Sequence, residues 1–225
     1  MRTGSFFKKL FFFCAFGIFC WGVGYSFYLQ RAVKLDLQKT FYFLTVQPQS
    51  VQTCVLDVRK DGGAGFLLNS SNQPKVALSV YFQEEEATKA KEANLKKYEN
   101  LKVTPKTCAK LYLKRDSEKK SAKKIAEGFE GIYTAARFLD ETVKMMENGA
   151  TQNAAKSLLV RLSAYLERLT NAYKGGVTEG FSNVFQNARN SVDKICLNII
   201  TVKDLRYLSC QLCADYFDLF SNYSL

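Results

Sequence analysis

The sequence predicts an α+β sheet domain of βαββαβ order, then an all-α antiparallel helical bundle, both behind one N-terminal membrane-spanning helix. Three observations predict it. Residues 10–30 contain no charged side chain between Lys9 and Arg31. Residues 41–113 alternate short aromatic and β-branched runs with two helical stretches. Residues 114–225 carry apolar side chains at alternating spacings of four and three.

The segments follow in order. Residues 1–9 form a basic tail with Arg2, Lys8 and Lys9. As a helix, 10–30 would span roughly 30 Å, about the thickness of a bilayer's hydrocarbon core. Trp21, Tyr25 and Tyr28 sit toward one end, where amphipathic rings favour the interface. A cleaved signal peptide is the alternative, but its apolar region is usually shorter. The expected topology is single-pass, with the N-terminus inside and the bulk of the chain extracytoplasmic. Residues 31–40 read as a juxtamembrane linker.

Within 41–113, strands are expected at 41–46, 64–69 and 75–82, and a last one from 101–103 and 108–113. A weak helix fits 51–60, and a better one fits 84–98, with acids first and lysines last. Ser70 to Pro74 is dense in turn formers and reads as a hairpin connection. This order builds a ferredoxin-like βαββαβ domain, one sheet with both helices on one face. From residue 114 a charged hinge leads into three long helices. They are separated by Asn148-Gly149 and Gly175-Gly176, the third running on from Val177. The last segment holds Tyr207, Tyr216, Phe217, Phe220 and Tyr223. These exceed what one core face needs and point to docking on a partner or on the sheet domain.

Composition excludes several function classes. Histidine is absent, which removes Ser-His-Asp and Cys-His catalysis and imidazole metal sites. The net charge of +11 divides across the chain. Residues 1–39 carry six Lys/Arg against one acid, 40–113 ten against seven, and 114–225 sixteen against thirteen. An excess this diffuse argues against nucleic acid and suits an anionic membrane or cell wall. Cys210-x-x-Cys213 lacks a second pair and sits in a helical pattern, so buried cysteines are expected there and no metal. The glycines at 62–65 lack the Lys-Ser/Thr of a phosphate loop and read as a tight turn. Glu84-Glu85-Glu86 are acids expected at a helix start. Neither catalytic residues nor a cofactor is predicted.

The runs FYFLTV at 41–46, DGGAGFLLN at 61–69 and KVALSVYFQEEEATKAKEANLKK at 75–97 resemble the SPOR (sporulation-related repeat) domain of endospore-forming bacteria. The likeness lies in a Gly-Ala-Gly-Phe turn, a third strand close to Ala-Ser-Val-Tyr, and an acidic helix start followed by lysines. It covers 41–113 and is strongest over 62–97. Thr45 stands where the family's first-strand glutamine sits, and Gln47 and Pro48 replace the following glycine and its neighbour. What the resemblance implies is a membrane-held protein of sporulation or cell division that binds peptidoglycan glycan strands stripped of their peptides. That site would be the sheet face opposite the helices. Period-2 alternation puts Leu44, Val46, Leu67, Val76, Leu78 and Val80 toward the helices. Phe43, Thr45, Phe66, Leu68, Ala77, Ser79 and Tyr81 are then left on the open face as glycan-binding candidates. A protein partner would engage helices within 117–225. The second reading keeps the sheet without its glycan and makes the chain an interaction scaffold of the cell envelope.

Overall fold

The computed structural model describes residues 32–68, 74–98, 100–113 and 115–224. Its elements are β1 (Val33–Val46), α1 (Val51–Lys60), β2 (Phe66–Leu68), β3 (Lys75–Tyr81), α2 (Glu84–Asn94) and β4 (Lys102–Leu113), followed by five helices. These are α3 (Asp116–Lys120), α4 (Ala122–Glu147), α5 (Gln152–Ala172), α6 (Glu179–Cys196) and α7 (Val202–Ser224). A 3-10 turn at Gly176–Thr178 precedes α6. The strands form one sheet of order β2-β3-β1-β4 with every neighbouring pair antiparallel.

β1 is longer than expected. Residues 33–40, read as a linker, are its first half and pair with β4 from Val33 opposite Leu113 to Thr40 opposite Thr107. The alternation Val33, Lys34, Leu35, Asp36, Leu37 explains this, because a half-buried strand needs that period. β4 is one strand rather than two fragments. Pro105 is accommodated because β4 is an edge strand, where a missing N–H costs no ladder bond.

The separate sheet domain and bundle expected behind a spanning helix are overturned by the packing. The described chain is one α/β body. A single buried cluster joins Phe41, Phe43, Phe66 and Leu111 of the sheet to Phe129, Leu162, Phe185 and Tyr216 of the helices. A second, smaller cluster of Leu44, Val46, Val58, Val76, Leu78 and Leu101 lies under α1 and α2 on the other face. No helix among the described residues is long and apolar enough to cross a membrane. The predicted anchor at 10–30 lies outside the described residues, as do most of the turn formers at 70–74.

The third long helix of the expectation is two. α6 stops at Cys196 and α7 starts at Val202. Gln152 holds the break from α5: its amide donates to the Ile200 carbonyl at 2.9 Å and accepts from the Ile200 N–H at 3.0 Å. Leu197 and Ile199 fall off the apolar stripe there and are 86 % and 78 % exposed. Ion pairs fix how α4 lies on the sheet. Lys39 of β1 meets Glu130 at 3.0 Å, and Lys144, four turns later, meets Glu86 of α2 at 2.7 Å. The start of α4 therefore lies toward the Val33 end of the sheet. Its last residue, Glu147, pairs with Arg206 of α7 at the opposite end.

Candidate functional site

The face expected to meet a glycan is covered. α7 packs on β2, β3 and β4, and α4 packs on β1. Phe43, Thr45, Phe66, Leu68 and Ala77 are all buried, and Ser79 is buried as well; only Tyr81 of the seven is partly open. Phe41 touches the rings of Tyr216 and Phe217 at centroid distances of 5.1 and 5.3 Å, and Phe66 meets Tyr207 at 5.3 Å. Thr45 spends its hydroxyl internally, on Thr104 at 3.0 Å and the Lys102 carbonyl at 3.3 Å. The surplus aromatics of α7 are what displace solvent from this face.

The seven candidates are also split between faces. Thr45 pairs with Ala77 while Leu44 pairs with Ser79, so Leu78 is an extra residue on β3. A bulge of this kind inverts the alternation beyond it. Val80 consequently joins the cluster under the long helices, while Tyr81 packs with the cluster under α1 and α2. Ser79 and Tyr81 border a small recess with Asp61, Tyr98 and Arg206. Leu67, assigned to the helix side, is 40 % exposed at the sheet edge.

The other residues singled out by type resolve as follows. Cys210 and Cys213 lie inside the main core on α7. Burial pushes both thiols up, well above the ordinary cysteine range for Cys213. Glu86 is held with Asp140 by one ammonium: Lys144 reaches them at 2.7 and 2.9 Å. The glycine turn closes on α1, where the Gly63 N–H donates to the Val58 carbonyl at 2.8 Å. Among the described residues no group of three or more Cys, Asp or Glu is placed to hold a metal ion.

An accessible site arises instead between α6 and α7. A cavity of about 550 Å³ has Ala188, Ile195, Leu208 and Leu212 among its apolar lining. Arg59 of α1 forms one wall by pairing with Asp204 at 2.8 Å and donating to the Ala64 carbonyl at 3.2 Å. The same guanidinium lies 5.5 Å from the Tyr207 ring. Ile199, exposed at the inter-helix turn, borders the cavity, and exposed Leu197 lies two residues away. Asp215 at the far wall has a carboxyl raised by burial, relieved in part by a hydrogen bond from Gln211 at 2.8 Å, with Asp218 raising it further. Lys194 lies on the α6 side, so the rim carries both charges around an apolar floor.

Sequence patterning did not reveal this cavity, because it depends on the α6–α7 break. One signal was available. From Tyr207 to Leu225 the chain has two acids and no Lys or Arg, unlike the rest of this basic protein. Comparison with family models, curated proteins and solved structures finds no match to this chain.

Proposed function

We propose that the protein is a non-enzymatic interaction scaffold of the cell envelope, and that the α6–α7 cavity receives a polypeptide segment. The observation that carries this reading is the burial of the sheet face beneath α7, which leaves a glycan strand no row of rings to stack on. The SPOR resemblance covers residues 41–113 and is strongest over 62–97, and the glycan-binding role it implies is set aside for the same reason. The cavity supports the proposal through its chemistry. An apolar floor flanked by Lys194 and Asp215 fits a peptide that presents an apolar anchor between opposite charges. The half-buried Asp215 gains most from such a partner, since a cation beside it would offset its desolvation.

Site-specific photocrosslinking in intact cells tests the reading. A photoreactive residue at Ile199 should yield a discrete protein adduct, whereas one at Leu56, on the solvent side of α1, should not. The adduct should disappear when Asp215→Lys is combined with the probe. Adducts of equal yield at both positions, or retention of the full chain on amidase-treated sacculi without any adduct at 199, would refute it.

A further inference from the structure

We infer that the Val33–Leu113 end of the sheet, together with the start of α4, docks on an anionic lipid surface. This goes beyond the scaffold reading and does not depend on it: the Ile199 lip of the groove belongs to the other end of the molecule, where α7 begins beside Glu147.

Three observations converge. The first is charge. Residues 110–124 carry seven Lys/Arg against two acids, the densest basic run in the chain. Within it, Lys110, Arg115, Lys120 and Lys123 are exposed, and Lys34 is exposed on the neighbouring strand. The acids nearby are largely committed. Asp116 meets Lys119 at 3.2 Å, Glu118 is buried and meets Arg115 at 3.5 Å, and Asp36 accepts from Gln38 at 3.1 Å while lying opposite Lys110. Glu127 approaches Lys123 only to 3.9 Å. The second is shape. β1 and β4 extend as a two-stranded ribbon, and Lys34 faces Tyr112 across it. Tyr112 is 40 % exposed, an amphipathic ring beside ammonium groups, which suits a headgroup layer. The third is connection. The uncharged apolar run 10–30 ends just before Val33, so the chain enters the fold at this end. A segment of that composition in lipid would bring this end of the body against the headgroups.

The basic side chains at this end reinforce one another. Each basic side chain near an anionic leaflet raises surface occupancy about fivefold, and the effect fades within a Debye length. The ribbon end would therefore engage an anionic bilayer and ignore a zwitterionic one.

Hydrogen–deuterium exchange of the full chain in vesicles tests this. Phosphatidylcholine vesicles are compared with vesicles holding about 30 % phosphatidylglycerol. Exchange over residues 33–38 and 108–124 should slow at least about fivefold in the anionic vesicles only. Protection should vanish in about 0.5 M salt and in the Lys34→Glu, Lys110→Glu, Lys120→Glu, Lys123→Glu variant. The milder fourfold Lys→Gln variant should lose most of it, and exchange over α5 should stay unchanged in all samples. Equal exchange in both vesicle types overturns the inference. So does equal protection by double-stranded DNA on neutral vesicles, which would assign the surface to nucleic acid.

Discussion

Phe41→Ala is the substitution that probes most directly whether sheet and helices are one body. The ring is fully buried and lies within 5.1–5.9 Å, centroid to centroid, of Phe82, Tyr133, Tyr216 and Phe217. Those partners come from the sheet end, α4 and α7, so the void left behind cannot be filled by one helix shifting. Removing such a ring costs about 3–5 kcal/mol. For a body of this size that lowers Tm by about 6–20 °C. Urea unfolding followed by far-UV and near-UV circular dichroism should show one transition, displaced for both signals together. Leu56→Ala, 68 % exposed, serves as control and should move stability by less than about 0.5 kcal/mol. A Phe41→Ala loss under about 1.5 kcal/mol, or separate sheet and helix transitions, would refute the shared core.

Other perturbations have equally definite outcomes. The Tyr216 hydroxyl is buried without a hydrogen-bond partner among the described residues, so Tyr216→Phe should stabilise by about 1 kcal/mol in the same urea assay. A Cβ at Gly128 would sit 2.8–2.9 Å from the Phe181 ring, so Gly128→Ala should cost about 1–3 kcal/mol. Asp215 has a folded pKa above its unfolded value, so the native state holds this proton more tightly and stability falls as pH rises from the unfolded value of about 3.9 through the folded one. Asp215→Asn should accordingly be more stable than the parent at pH above that window and lose the advantage below it. Burial of Cys108, whose thiol is pushed up to about 12, and of Cys210 and Cys213 should leave all three unreactive to a thiol reagent until the chain unfolds. Fast native-state labelling at those positions would contradict the packing.

Much of the fold was legible because local periodicity survives into the structure. α4 ends beside the Asn148-Gly149 pair that the sequence flags and α5 a little before Gly175-Gly176, with Gly149 and Gly175 at φ of 87° and 80°, values only glycine adopts freely. The first half of β1 was equally legible in the Val33-Leu35-Leu37 alternation, but the charges of Lys34, Asp36 and Lys39 favour a linker reading. The bulge at Leu78 was not legible, since an extra residue in one strand is defined only against its partner's register. Neither was the covering of the sheet. The rings of α7 announce a docking surface, yet nothing local says whether it closes on a partner or on Phe41 and Phe66. The basic run 110–124 straddles the boundary between sheet and helices at residue 114, so the charge totals of the two segments look even although the excess is concentrated.

The pairing of β1 with the last helix also constrains how the chain comes into being. Phe41 is synthesised well before Tyr216 and Phe217, two of the rings that shelter it. Until then that side of the sheet has only α4 against it and keeps part of its aromatic surface uncovered, so the sheet cannot mature as an independent early unit. Closing so distant a contact makes folding slow and exposes the nascent chain to self-association. The core therefore closes only once α7 has been added.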